Sequence, residues 1–270
     1  MLKFTCSIVV YSKNSLILSS DKYITLRNCL THVMSYENLT HLTVFDNSPL
    51  PFFNNIVAFS DKISYVHLKG RNLGFGAAHN LYRNVESSAP YHLILNPDIV
   101  FKPGTRVINN LLDIISSSDD LCMVQPLVTY PDFKSVQYLC KKNPTLLAQF
   151  LRAFAPTPIK NLFKKYMYDY EMRNLAYGNS IIDSTYLSGA FMLCNRQHLD
   201  SVGWFDERYF MYLEDADLTR SLSRIGRCIH VPFFQVGHVW ERGSHKNLSL
   251  MLHAINSFIQ YSLKWGLKLS

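Results

Sequence analysis

Three carboxylates, Glu214, Asp215 and Asp217, stand where an aromatic run (Tyr209, Phe210, Tyr212) passes into a segment in which Leu218, Leu222 and Ile225 recur at helical spacing. Asp215 lies one turn before Leu218, so it leans to the buried side at the helix start. Unpaired backbone N–H groups and the helix dipole favour an anion there, which keeps Asp215 ionised at neutral pH. An ionised carboxylate at the rim of a cleft can take the proton from an attacking hydroxyl. On a helix of 3.6 residues per turn, Glu214 and Asp217 are rotated from Asp215 by about 100° and 200°, away from the cleft. An isolated Asp-x-Asp in this position also serves as an ordinary acidic cap.

Further polar residues stand where the chain changes direction. Asp46 opens the turn Asp46-Asn47-Ser48-Pro49, where its carboxylate could accept from a nucleobase or a ribose hydroxyl, or simply form the turn. Gly70-Arg71-Asn72-Leu73-Gly74-Phe75-Gly76 leads into a helix, with glycines that admit a phosphate close to the backbone and Arg71 to supply charge. This is not a dinucleotide fingerprint, because His79 holds the third glycine position, and the lysine of a P-loop is absent. Asp98, in Asn96-Pro97-Asp98, stands where a strand is cut off by a turn. His238, alone beside an apolar strand, reads as structural on its own; His245 and Lys246 follow in a loop that could touch phosphate or only solvent.

The elements that must position these groups follow from apolar runs and breakers. Phe4 to Tyr11, His41 to Phe45, Ile63 to Leu68 and Tyr91 to Leu95 are strands. Helices alternate with them: one buries Leu26, Cys29, Leu30, Val33 and Met34, and another runs from the glycine loop through Arg83. Such alternation implies an α/β fold with a mostly parallel, Rossmann-like sheet, which binds ligands at the carboxyl ends of its strands. Cys122 to Tyr130 is a further strand. Lys141 to Asn174, rich in basic and aromatic residues and broken at Pro144, Pro156 and Pro158, reads as an inserted pair of short helices. The sheet resumes near Tyr186 to Cys194, a last strand occupies Cys228 to Phe234, and a helix follows around Leu248 to Leu263.

Ser188-Gly189-Ala190, then Gly203-Trp204-Phe205-Asp206-Glu207, then Tyr212-Leu213-Glu214-Asp215-Ala216-Asp217-Leu218 resemble, in that order, the acceptor-side signature of family 2 glycosyltransferases, inverting enzymes of GT-A fold. Within that family the chain is most similar to the bacterial rhamnosyltransferase branch. The likeness runs from the first strand to the last helix, and includes the Arg-Asn-x-Gly-x-(Gly/Ala)-x-x-x-Asn pattern from Arg71 to Asn80. The resemblance implies Asp215 as general base and a nucleotide-diphosphate sugar donor, dTDP-L-rhamnose first and a UDP-hexose second. It implies donor contacts from Tyr11, Asp46, Arg71, Asn72, Gly74, Asn80 and Asp98. Asp98 and His238 would hold Mg²⁺ or Mn²⁺, although Asn96 replaces the first aspartate of the family's metal motif. Trp204 and Glu214 would meet the acceptor, with Phe205 and Tyr209 nearby. That acceptor would be a sugar on a polyprenyl diphosphate, in O-antigen or capsule synthesis. The implied organisation is a donor half (1–130), a basic insert (131–180) and an acceptor half (181–270) in one unit.

Composition bounds the remaining classes. The 270 residues are 48% hydrophobic and carry a formal charge of +7, which calls for an anionic partner. In the insert, the apolar partners of the basic residues (Leu146, Leu147, Phe150, Leu151, Phe154, then Leu162, Phe163, Tyr166) fall at helical spacing. That pattern suits an anionic membrane surface better than nucleic acid. A nicotinamide-dependent oxidoreductase would explain the sheet but not the Glu-Asp-Ala-Asp turn. No apolar run approaches the ~20 residues of a membrane span, and the first strand lacks a signal-peptide cleavage pattern. The expectation is a cytoplasmic protein, peripheral on the membrane. Six scattered cysteines without a Cys-x-x-Cys pair are expected to be buried free thiols.

Overall fold

The computed structural model describes residues 1–13, 20–51, 60–239 and 248–270. Trp240, His245 and Lys246 lie outside the described residues. The strands are β1 (Phe4–Val10), β2 (Leu39–Asp46), β3 (Ile63–His67), β4 (Tyr91–Leu95), β5 (Ile99–Val100), β6 (Leu121–Thr129), β7 (Ile182–Asp183), β8 (Phe191–Asn195) and β9 (Arg227–His238). They form one sheet in the order β3-β2-β1-β4-β8-β6-β9-β5, with β7 also on β9. β1 pairs parallel with β2 and β4, β2 with β3, and β6 with β9, while β8, β5 and β7 run against their neighbours. The sheet is therefore mostly parallel in direction and mixed in its second half.

The helices are α1 (Asp21–Met34), α2 (Phe75–Asn80), α3 (Val107–Ile115), α4 (Leu146–Ala153), α5 (Thr157–Leu162), α6 (Lys164–Tyr170), α7 (Arg196–Ser201), α8 (Glu214–Leu222) and α9 (Leu248–Trp265). α1 buries Leu26, Cys29, Leu30 and Val33 and α3 buries Val107, Ile108, Leu111, Leu112 and Ile115, both in the core layer that holds Phe4, Ile8 and Val10 of β1. Ala78, Leu199, Leu218 and Leu222 bring α2, α7 and α8 into a second layer with Val9 and Ile94. Alternate side chains of each strand thus feed opposite layers, and burying each large one contributes on the order of 1.5–3 kcal/mol. All six cysteines are free and buried. No helix among the described residues is long and apolar enough to cross a membrane.

Several elements differ from the sequence reading. The insert forms three short helices, because Phe163 interrupts the run between α5 and α6. β9 continues past Phe234 to His238, held by its pairing with β6 and β5. Ile225 falls beyond α8 and is exposed, since the helix ends at Leu222. Lys141, expected on the charged face of the insert, is only 4% exposed. The short strands β5 and β7 and the helices α3 and α7 were not anticipated.

The register decides what meets at the carboxyl edge of the sheet. Tyr11 follows β1, Asp46 ends β2, and Asn96 to Asp98 follow β4. Leu95 pairs with Phe191 and the Asn96 N–H donates to Ala190 O at 3.0 Å, so Ser188-Gly189-Ala190 enters at that same edge. Ile99 pairs with His238, and the Val239 N–H donates to Asp98 O at 3.1 Å, which fixes His238 beside Asp98.

Candidate active site

α8 begins abruptly. Tyr212 and Leu213 both hold left-handed backbone, with φ of 71° and 64°. Side chains other than glycine occupy that region at a cost, and such residues cluster at functional sites. The kink turns the first residues of α8 inward. Asp215 Oδ2 accepts the Gly189 N–H at 3.1 Å and its Oδ1 accepts the Ala216 N–H at 2.8 Å. Gly189 is needed for that approach, because a Cβ there would sit 3.1 Å from the Phe75 ring and 3.5 Å from Asp215 Cβ.

Glu214 turns into the same cavity, against the expectation that it rotates away. Its carboxyl is buried, and Oε2 has no hydrogen-bond partner. Burial, and then the neighbouring Asp215 charge, push it well above the usual carboxylate range, which favours its protonated form. Asp217 is the residue that faces away. It is buried, accepting from Lys264 Nζ at 2.7 Å, Trp265 Nε1 at 2.6 Å and the Tyr209 hydroxyl at 3.3 Å. α9 braces the kinked loop further: Ser257 Oγ donates to Met211 O at 2.7 Å, and His253 stacks on Phe210 at 4.3 Å.

Asp98 and His238 form a second cluster. His238 Nε2 lies 3.2 Å from Asp98 Oδ1 and 3.3 Å from Asn96 Nδ2. Gln137 sets the tautomer: its Nε2 donates to His238 O at 2.7 Å, which leaves Oε1 to accept from His238 Nδ1 at 2.9 Å. With Nδ1 donating to Gln137, the ring turns Nε2 toward Asn96 Nδ2 and toward an Asp98 oxygen that is buried and has no other partner. An imidazole nitrogen and a carboxylate oxygen at this separation suit a proton or a cation between them. Asp98 and His238 fit a divalent cation of mixed oxygen and nitrogen ligation, with Gln137 as the outer partner that orients the histidine. No cluster of three or more His, Cys, Asp or Glu occurs among the described residues.

A cavity of about 580 Å³ joins the two clusters, with Glu214, Asp215, His238, Tyr186, Ser188 and Tyr212 among its lining residues. Lys141 lies between this cavity and another of about 700 Å³ lined by Asn143, Tyr166, Asp183 and Arg227, which holds none of the expected site residues. The Lys141 ammonium sits 4.7 Å from the centre of the Tyr186 ring. Burial, and next the charge of Arg152, push its pKa down to about 7, against an opposing pull from Asp215.

On the donor side, Asp46 is buried and accepts from the Ser48 N–H at 2.8 Å and from the Tyr65 hydroxyl. Asn47, not singled out from the sequence, clamps the glycine loop by donating to Gly74 O at 2.9 Å and accepting the Leu73 N–H at 3.1 Å. Asn72 Oδ1 caps the Gly74 N–H at 3.0 Å, while Tyr11 and Arg71 are exposed. Gly74 has φ of 83°, and a Cβ on it would fall 2.0 Å from Phe210 O, so its first task is close packing on the loop that leads to α8.

No family model matches the chain. It is 30% identical over 187 residues to an N-acetylglucosaminyl-diphospho-decaprenol L-rhamnosyltransferase of Mycobacterium tuberculosis, a match covering 63% of this chain and 56% of that protein. It is 28% identical over 219 residues to the rhamnosyltransferase WbbL of Escherichia coli, covering 75% of this chain and 70% of that one. The match thus spans little more than half of the mycobacterial relative. GalNAc-T7, solved with UDP, GalNAc and Mn²⁺, superposes with a TM-score of 0.68 over 98% of this chain and 49% of its own, at 12% identity. The mannosyltransferase PcManGT of Pyrobaculum calidifontis, solved with GDP-Man and Mn²⁺, gives 0.56 over 96% and 64%, at 13% identity. The chain has the GT-A fold, and its sequence is similar to these two rhamnosyltransferases.

Two expected ligand contacts are corrected by the packing of the chain. Asn80 spends its amide inside the protein: Nδ2 donates to Phe205 O and Glu207 Oε1, both at 2.8 Å, and Oδ1 accepts the Phe205 N–H at 3.0 Å. It staples α2 to the Trp204-Phe205 turn. Trp204 is 3% exposed, donates from Nε1 to Asp200 at 2.6 Å and carries Arg196 on its ring, so it cannot offer a platform to a sugar. Phe205 and Tyr209 are buried as well.

Proposed function

We propose that this protein transfers a sugar, L-rhamnose from dTDP-L-rhamnose in the first instance, to a saccharide carried on a polyprenyl diphosphate, with inversion at the anomeric carbon. The supporting observation is the cavity that joins Asp215 to His238 at the carboxyl edge of the sheet. An acceptor hydroxyl entering it meets the Asp215 carboxylate, while burial favours the protonated form of Glu214 beside it. Asp215 takes the hydroxyl proton as the oxygen attacks the anomeric carbon, and the bond from that carbon to the diphosphate oxygen breaks on the far side. General-base help of this kind is worth roughly 10²–10⁴-fold in rate. The Gly189 and Ala216 N–H groups hold the carboxylate in one orientation. Protonated Glu214 can donate to an acceptor oxygen.

Asp98 and His238 would hold Mg²⁺ or Mn²⁺. That ion, when bound, supplies charge against the departing diphosphate. Asp46, at the end of β2, is read as the base or ribose contact, with Tyr11, Arg71 and Asn72 at the same edge. In this reading residues 1–130 serve the donor, 181–270 the acceptor and the base, and 131–180 cover the cavity. The experiment is transfer from radiolabelled dTDP-L-rhamnose, with UDP-hexoses alongside, to a polyprenyl-diphosphate-linked GlcNAc in the presence of Mn²⁺. Transfer from a UDP-hexose alone would move the donor assignment. Release of neither nucleotide would refute the reading.

The site is also read as working at an anionic membrane surface. Phe150, Phe154, Ile159 and Leu162 are exposed on α4 and α5 beside the exposed Lys164 and Lys165. On α9, the exposed Leu248, Leu252, Ile255, Ile259 and Leu263 recur at helical spacing. Backbone bonds from Leu146 and Leu147 to the carbonyls of Lys268 and Leu269 tie the end of the chain to α4. Each basic side chain near an anionic bilayer contributes on the order of 1 kcal/mol. Flotation with phosphatidylglycerol liposomes that weakens with salt is expected, and equal recovery with neutral liposomes at low salt would contradict it.

A further inference from the structure

The cavity that holds Asp215 carries more positive charge than the reaction at the anomeric carbon uses. Arg152 of α4, Lys160 of α5, Lys164 of α6 and the buried Lys141 all line it. None of these four has a carboxylate within 4.0 Å among the described residues, in contrast to Arg173, whose guanidinium is paired with Glu171 at 2.5 Å. Of the three carboxyl groups lining the cavity, Glu171 is committed to Arg173 and burial disfavours the charged form of Glu214, so only Asp215 is left to face these cations. The Arg152 guanidinium lies near the hydroxyls of Tyr170 and Tyr186. A guanidinium and two ammonium groups lining one cavity can answer phosphate oxygens.

Apolar surface adjoins this charge. Ala254 of α9 lines the same cavity, and the exposed Leu252 and Ile255 flank it on that helix. Ile159 and Leu162 are exposed on α5 next to Lys160. The cavity thus brings together a carboxylate, cations with no carboxylate partner among the described residues, and adjoining apolar surface. A sugar, a diphosphate and a hydrocarbon chain are joined in a polyprenyl-diphosphate-linked acceptor.

We infer that Arg152, Lys160 and Lys164 form the subsite for the diphosphate of a lipid-linked acceptor, separate from the donor diphosphate near Asp98 and His238. The inference rests on the proposed transfer reaction and extends it by assigning the residues that read the carrier. It makes the insert part of acceptor recognition as well as a contact with the bilayer. A phospholipid headgroup presents the same phosphate chemistry, and the experiment separates the two.

The full chain is titrated with farnesyl diphosphate, with farnesol and with dTDP in metal-free buffer, as wild type and as the Lys160→Ala/Lys164→Ala double variant. Both lysines are on the insert surface, so the variant keeps the core intact. Farnesyl diphosphate should bind the wild type without displacing dTDP, and farnesol should bind far more weakly. The double variant should lose about tenfold or more in farnesyl diphosphate affinity, a change of about 1.4 kcal/mol or more, while dTDP affinity stays within twofold. In transfer assays the variant should raise the KM for the acceptor and leave the KM for the donor. Unchanged farnesyl diphosphate affinity in the variant, or its displacement by dTDP, would overturn the assignment. Displacement by phosphatidylglycerol vesicles but not by phosphatidylcholine vesicles would overturn it in favour of a headgroup site. The titration is independent of catalysis: absence of transfer with intact farnesyl diphosphate binding would refute the reaction and leave the anion subsite standing.

Discussion

Asp217→Ala offers a test of how the candidate base is held in place. The Asp217 carboxylate is 2% exposed and receives hydrogen bonds from Lys264 Nζ, Trp265 Nε1 and the Tyr209 hydroxyl. Lys264 keeps a second partner in Asp206 at 3.2 Å, so the variant does not strand its charge completely. Removing one member of a buried charged pair typically costs 3–5 kcal/mol, and the loss of a charge-assisted bond 1.5–3 kcal/mol. The side chain of Lys264 is 27% exposed, which discounts the larger figure, and about 3 kcal/mol is the expected cost. For a domain of this size that corresponds to a drop of roughly 6–12 °C in Tm. The loss should be local to the contact between α8 and α9, so hydrogen exchange in α9 should speed up by a larger factor than exchange in β1 or β4. dTDP affinity should persist. Asp217→Asn should cost less, because one amide oxygen can still accept from Trp265. A Tm within 1 °C of wild type for Asp217→Ala, or a loss of dTDP binding with unchanged α9 exchange, would refute this account of the carboxylate as a brace.

Other perturbations read different parts of the site. His79 is buried against Ser7, 2.7 Å away, and burial holds its pKa down to about 3, while burial lowers His230 to about 4. Neutral in the fold but titrating near 6.5 when unfolded, these groups stabilise the protein above pH 6.5 and lose that contribution as pH falls toward their folded values. At pH 5 the loss is roughly 2 kcal/mol per histidine, and melting curves equal at pH 5 and pH 7.5 would contradict it. Gly74→Ala places a Cβ 2.0 Å from Phe210 O in left-handed backbone, and should lower both Tm and dTDP affinity by shifting the loop; wild-type values for both would deny that contact. Asp98→Ala and His238→Ala should each weaken Mn²⁺-dependent dTDP binding by about tenfold or more and leave metal-free binding unchanged. Equal titrations with and without Mn²⁺ in the wild type would remove the cation from the site.

What the sequence made legible divides along physical lines. Runs such as Phe4 to Val10 can only be buried strands, and the punctuation at Asp46-Asn47 and Asn96-Pro97 placed the polar residues at one edge. The face of α1 followed from the spacing of Leu26, Cys29, Leu30 and Val33. The roles within Glu-Asp-Ala-Asp were harder, because helical rotation assumes a regular start and Tyr212 and Leu213 supply a left-handed one. No local pattern announces two such residues outside glycine. Asn80 and Gln137 illustrate a second limit: their partners lie 125 and 101 residues away in the chain, at Phe205 and His238. Lys141 illustrates a third. Counted among surface charges, it is in fact buried beside Tyr186, where the fold has placed it between two cavities. For Gln137 a signal existed, since a histidine offered to a metal needs an acceptor for its other nitrogen, but its position could not be read.

The central claim is that Asp215, and not the protonated Glu214 beside it, takes the proton from the acceptor. The direct measurement is the rate of transfer of radiolabelled L-rhamnose from dTDP-L-rhamnose under saturating donor and acceptor, for Asp215→Asn and Glu214→Gln, each with its dTDP dissociation constant. Asp215→Asn retains the shape but loses the basicity, and turnover should fall by roughly 10²–10⁴-fold with dTDP affinity nearly unchanged. Glu214→Gln replaces a neutral acid by a neutral amide and should keep turnover within about tenfold of wild type. Wild-type turnover in Asp215→Asn together with an inactive Glu214→Gln would contradict the account.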